Sequence, residues 1–139
     1  MDSATPTKID GIQEELLGRK LRVAGQVLAY DPYTGIALLR ASPGGKAIAL
    51  DVGECVGAWP AGNREWLSEH LTTATVIGYL ERRTDLKLPA LPRHVSAPRM
   101  VDGMALNVLL IVSSPELDLG LWESGIDALA RVAAQRAEE

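Results

Sequence analysis

The sequence predicts a mainly β chain: a small five-stranded Greek-key barrel with a short N-terminal helix in front of it and a C-terminal amphipathic helix behind. Three observations carry this. Between Leu16 and Leu50, apolar runs with near-alternating spacing are joined by the sharpest turn signal in the chain, Asp31-Pro32-Tyr33-Thr34-Gly35. A further apolar run, Met104–Val112, comes late, and the residues after it switch to helical spacing. At 139 residues, the chain fits one domain, of a size that buries about 65–70% of its unfolded surface without any covalent staple.

In chain order, residues 1–8 read as a disordered lead and 9–139 as a single domain. Ile9, Ile12, Leu16 and Leu17 recur at helical spacing with Asp10 placed to cap, which predicts a short helix plugging one end of the barrel. From Arg19 the period shortens to two. Leu21, Val23, Gly25, Val27 and Ala29 share one face, and Arg22, Ala24, Gln26 and Leu28 the other, with Gly25 marking a bend. The Asp-Pro-Tyr-Thr-Gly turn then sends Ile36–Ala41 back antiparallel, and Ser42-Pro43-Gly44-Gly45 leads into a third strand, Lys46–Val52.

Gly53–Gly62 reads as a loop, and Asn63 caps a short helix through His70 that carries Trp66 and Leu67. Thr72–Arg83 supplies a β-branched fourth strand with Gly78 inside it. Residues 84–102, with Pro89, Pro92 and Pro98, form a long hairpin loop before the last strand, Gly103–Ser113. The terminal helix spans about 117–136 and begins at Ser114-Pro115-Glu116 or at Asp118. On it, Trp122, Ile126, Leu129 and Ala133 make one apolar stripe and Leu121, Ala128 and Val132 a second, an arc wider than one seam. Either both stripes pack on the chain's own sheet, or one covers the barrel and the other meets a partner.

Composition excludes several function classes. Fourteen basic against 18 acidic residues give a net charge of −4, which argues against coating nucleic acid by bulk attraction. Phe is absent, so the core is expected to be aliphatic. The single cysteine, Cys55, allows no internal disulfide and no cysteine-rich zinc site, and fits a reducing compartment. The polar N-terminus does not resemble a secretory signal, and Met104–Val112 is far shorter than the roughly 20 residues of a membrane span, so the expectation is a protein inside the cell with no membrane association. His70 and His94 lie far apart with no linking motif. Gly44-Gly45-Lys46 lacks the spacing and the hydroxyl residue of a phosphate loop, because Ala47 follows. No catalytic residue, metal ligand set or cofactor fingerprint is recognisable, and an enzyme is not expected.

The order of these parts resembles the oligonucleotide/oligosaccharide-binding (OB) fold. Within it, Leu21-Arg22-Val23-Ala24-Gly25-Gln26-Val27-Leu28-Ala29-Tyr30-Asp31, followed by Thr34-Gly35-Ile36-Ala37-Leu38-Leu39, is similar to the opening hairpin of the Ten-one family, the smallest subunits of the CST telomere-protection complex. Leu117-Asp118-Leu119-Gly120-Leu121-Trp122 also looks like the corresponding stretch of the small subunit of replication protein A. The Asp-x-x-Thr-Gly turn and the long loop at 84–102 suit Ten-one better.

The resemblance implies a telomeric, nuclear subunit that forms a heterodimer with an Stn-one-like OB-fold protein. On this chain, Leu121, Trp122, Ile126, Leu129 and Val132 would meet that partner. It also implies support for binding single-stranded telomeric DNA, for which Arg82, Arg83, Lys87, Arg93 and Arg99 around the hairpin loop are auxiliary phosphate contacts or else a solvated loop. The central strands hold no aromatic platform, so weak, salt-sensitive affinity is expected of the isolated chain. A replication protein A-like subunit and a pure scaffold barrel are the alternatives.

Overall fold

In a computed structural model that describes residues 4–42, 44–53, 72–93 and 95–138, the strands run β1 (Thr5–Pro6), β2 (Lys20–Asp31), β3 (Ile36–Arg40), β4 (Ala47–Asp51), β5 (Thr73–Arg82) and β6 (Met100–Ser113), followed by one long helix, α1 (Leu119–Glu138). The length of β2 closes the barrel. Its first half pairs antiparallel with β5 over Lys20–Gln26, and its second half pairs with β3 over Gln26–Asp31. The order β2-β3-β4-β6-β5 returns to β2, with β4 and β6 parallel and the other neighbours antiparallel. Closure leaves these five strands without a free edge, and the order is that of an OB barrel.

Two glycines make the path possible. Gly25 lies where β2 changes partner, and a Cβ there would overlap the carbonyl oxygen of Arg40 and sit 3.0 Å from the Leu39 side chain. Gly35 closes the expected turn at φ +72°, donating its N–H to the Asp31 carbonyl at 2.9 Å, while the Asp31 carboxylate accepts from the Tyr33 N–H at 2.9 Å.

The core is aliphatic as expected: its most fully buried side chains are Leu21, Leu39, Ile48, Leu50, Leu80, Leu106, Ile111, Val23 and their neighbours. A register shift between Val27 and Ala29 interrupts the alternation of β2. Beyond it, Tyr30 packs against the main core and Leu28 joins a second, outer cluster with Ile36, Leu38, Ala49 and Ala105. A strict period of two puts Ala29 inside instead, and misses the bulge.

Four other expectations need correcting. The plug is two 3₁₀ turns, Ile9–Gly11 and Glu14–Leu16, rather than one helix, although Ile9 and Ile12 are buried in the core as the spacing required. Asp10 makes no helix cap; its carboxylate accepts from the Lys46 N–H at 2.7 Å and fastens the β3–β4 turn. The lead is structured from Thr5, where Thr5 and Pro6 align with Leu21 and Arg22 of β2. The last strand starts at Met100 rather than Gly103, because β4 offers a parallel partner where β5 has ended: Ala47 pairs with Met100 and donates its N–H to the Arg99 carbonyl. The helix expected over Asn63–His70, together with Cys55, Trp59 and Trp66, and also His94, lies outside the described residues.

Candidate partner and nucleic-acid surfaces

Asp118, the later of the two predicted starts, caps helix α1, whose first residue is Leu119. The Asp118 carboxylate accepts from the Leu121 N–H at 3.1 Å and its carbonyl from the Trp122 N–H at 2.9 Å, which satisfies donors that a helix start leaves open. Polar contacts fix the helix to the barrel. Lys8 Nζ pairs with Asp127 at 2.7 Å, and Ser42 donates to Glu123 at 3.3 Å. The Asp127 carboxylate holds the Lys8 ammonium above its ordinary pKa, chiefly through that hydrogen bond, against a desolvation cost and with the charges of Glu123 and Asp10 assisting.

Because residues 123 and 127 turn to the barrel, much of the apolar arc is left uncovered. Leu121 is 72% exposed, Leu129 62% and Val132 45%, while Trp122 and Ile126 are half-buried. Leu121, Trp122, Ile126 and Leu129 line a shallow groove of about 400 Å³ with Gly125 and with Pro6 of β1. Val132, three residues beyond Leu129, continues the stripe. Thus four of the five residues expected to meet a partner share one groove. Its far wall, Pro6, was not legible, because a two-residue strand has no period to detect.

The five basic residues do not form one cluster. Arg82 pairs with Glu14 at 3.4 Å and Arg83 with Asp51 at 3.1 Å, so acidic neighbours already meet both charges. Arg83 borders a cleft of about 260 Å³ whose other walls include Leu86, Leu88, Met100 and Met104, a lining ill suited to phosphate. Lys87, Arg93 and Arg99 are exposed and have no ion-pair partner among the described residues.

The loop that carries them lies across the barrel. Leu86, Leu91, Val95 and Met100 pack against Leu28, Ile36, Leu38, Ala49 and Ala105, the outward side chains around β3 and β4, and Pro89 is buried. In OB folds that strand face is where oligonucleotides bind, and here the chain's own loop covers it. Tyr33 is 97% exposed at the tip of the β2–β3 turn. Among the described residues no group of three or more His, Cys, Asp or Glu is placed to hold a metal, and no helix is long and apolar enough to cross a membrane.

No protein-family model and no curated protein matches the sequence. Solved structures do match. A chain of the S. pombe Stn1–Ten1 complex is similar over 94% of this chain and 94% of its own length, with a TM-score of 0.58 at 19% identity. The S. pombe telomere capping protein Ten1, a Ten-one, is similar over 93% of this chain and 99% of its own, with a TM-score of 0.57 at 18% identity. Asparaginyl-tRNA synthetase from Entamoeba histolytica matches 87% of this chain with only 26% of its own length, at a TM-score of 0.59 and 9% identity. The synthetase likeness is therefore to one module of a larger enzyme, whereas the Ten1 likeness runs end to end. By fold, the chain is a Ten1-like OB barrel closed by five strands and followed by a C-terminal helix.

Proposed function

We propose that this protein is the small, non-enzymatic subunit of a telomere-capping complex. It docks its C-terminal helix on an Stn1-like OB-fold protein as a heterodimer, in the nucleus at chromosome ends, and assists the complex in holding single-stranded telomeric DNA. The observation that carries this reading is the groove of α1, where Leu121 and Leu129 stand exposed beside Pro6. Scattered apolar side chains on a surface need no explanation, but an aligned stripe on a helix does. The end-to-end likeness to Ten1 and to a chain of the Stn1–Ten1 complex supports the choice of partner.

The test is capture of this chain, side by side, by the OB domain of Stn1 and by that of the middle subunit of replication protein A from the same organism. Selective capture by Stn1 is expected, and Leu129→Arg should weaken it by about a hundredfold, since full burial of a leucine contributes about 1.5–3 kcal/mol and a desolvated charge adds to the loss. The isolated variant should melt like the native chain, because Leu129 is already largely in water. Selective capture by the replication subunit would instead make the chain a replication protein A-like component. Capture by neither would defeat the proposal. A pure scaffold role without DNA contact is the second reading, favoured by the loop that covers the β3–β4 face.

A further inference from the structure

The chain contains three Ser-Pro or Thr-Pro dipeptides, Thr5-Pro6, Ser42-Pro43 and Ser114-Pro115, far apart in sequence. The fold brings all three around α1. Pro6 walls the α1 groove, and Ser114 comes shortly before the Asp118 cap, its hydroxyl engaged with the Thr75 hydroxyl and the Val112 carbonyl. Ser42, in the β3–β4 turn, instead touches the helix itself, donating its hydroxyl to the Glu123 carboxylate at 3.3 Å. Both side chains are half-buried, so a charge placed there is poorly screened. The other polar anchor of α1, Lys8 on Asp127, lies close by, because Lys8 also feels the charges of Glu123 and Asp10. Proline-directed protein kinases read a proline directly after the acceptor hydroxyl and favour a basic residue a few positions on. Pro43 follows Ser42 here, and Lys46 comes at the end of the turn. The Gly45 N–H closes that turn by donating to the Ser42 carbonyl at 2.8 Å, with Gly44 exposed at φ +89°. Opening this bond and the Glu123 contact straightens the turn for a kinase cleft and leaves the pairing of Ile36–Arg40 with Ala47–Asp51 in place.

We propose that Ser42 is a phosphorylation site for a proline-directed protein kinase, and that its phosphate unlatches α1 from the barrel. In the modifying step the Ser42 Oγ forms a bond to the γ-phosphorus of ATP and the bond from that phosphorus to the β–γ bridging oxygen breaks. ADP leaves, and the hydroxyl proton passes through the kinase base to water. Ser42 thereby loses the donor that held Glu123 and gains a group of about −1.5 to −2 charge at pH 7 beside that carboxylate. The same dianion competes with Asp127 for the Lys8 ammonium, so both anchors of the helix weaken together. Arg99, which borders the turn beside Gly44 and Gly45, offers the phosphate a cation that does not belong to the helix. With Lys8 drawn from Asp127, Pro6 is no longer held opposite the apolar stripe, and the groove loses its far wall. That last consequence rests on the proposed docking of α1, whereas the unlatching itself does not.

The experiment treats the full-length chain with a cyclin-dependent kinase, its cyclin and Mg-ATP, and maps the product by mass spectrometry. Phosphate is expected at Ser42 and should be missing from that peptide in Ser42→Ala. Hydrogen exchange of the isolated chain is then compared before and after modification. Amides of residues 122–133 should exchange about tenfold faster in the phosphorylated form, the loss of one hydrogen bond to a charged group, with the barrel strands unchanged. Glu123→Gln removes the opposing charge, so phosphorylation of that variant should accelerate the same amides much less. Capture by the OB domain of Stn1 should fall about tenfold on phosphorylation of the native chain. No phosphate, or phosphate at Thr5 or Ser114 but not at Ser42, would overturn the site. Phosphate at Ser42 with unchanged exchange in α1, or with equal acceleration in Glu123→Gln, would overturn the unlatching. Accelerated exchange in α1 with neither form captured by Stn1 would support this inference and defeat the partner assignment alone, so the two failures are distinct.

Discussion

Gly25 lies one residue before Gln26, the point of β2 that pairs with both β5 and β3, and the Arg40 carbonyl fills the space that any side chain at Gly25 would need. The obstacle is backbone of the neighbouring strand, which cannot swing aside as a side-chain tip does. Gly25→Ala should therefore destabilise the barrel by about 3 kcal/mol, the upper end of the cost of overfilling a core. Gly11→Ala, whose Cβ would meet nothing within 4 Å, should change stability little. Urea midpoints of the two variants compare them directly; equal midpoints would show that β2 has another way to turn the corner. The bend at Gly25 was legible in the sequence because an isolated glycine inside an alternating strand has few other uses. The contact of Ser42 with Glu123 was not, since a serine in a turn is ordinary until its partners are known.

At the scale of elements, α1 and β1 depend on one another. Lys8, just after β1, reaches Asp127 of the helix, and together they position Pro6 opposite the apolar stripe. The folded-state pKa of Lys8 is raised above its ordinary 10.5. The stabilisation from this contact is thus fully present below that ordinary value and is lost as pH rises through the higher, folded one. Asp127→Asn should accordingly lower the thermal midpoint at pH 7, and the gap between variant and native chain should narrow once the pH exceeds the folded lysine value. A gap unchanged at high pH would show that the ammonium contributes nothing to the docking. The stripe itself followed from spacing alone. Which residues of it stay in water did not, because that depends on where Ser42 and Lys8 anchor the opposite side of the helix.

The whole molecule distributes its charge in a way that one-dimensional clustering conceals. Arg82 and Arg83 are adjacent in sequence, yet one meets Glu14 and the other Asp51, while Lys87, Arg93 and Arg99 remain open on the loop. In the reconstituted complex, replacing Lys87 and Arg93 together by Ala should weaken binding of single-stranded DNA and lower the salt dependence by about 1.4 in log–log slope, the effect of losing two phosphate contacts. Replacing Arg82 and Arg83 should do much less. Filter binding across a salt series separates these outcomes, and equal effects of the two pairs would refute the assignment.

The sequence by itself determined the strands, their turns, the aliphatic core and the apolar helix, because alternation, turn chemistry and helical spacing are local properties of neighbouring residues. Tertiary structure alone decided the rest. It started β6 at Met100 by giving it β4 as a partner, made two 3₁₀ turns of the expected plug, and ordered Thr5–Pro6 along β2. It also folded the 83–99 loop over the β3–β4 face and brought Ser42 against Glu123. Each of these depends on contacts between residues distant in the chain, for which no local period exists.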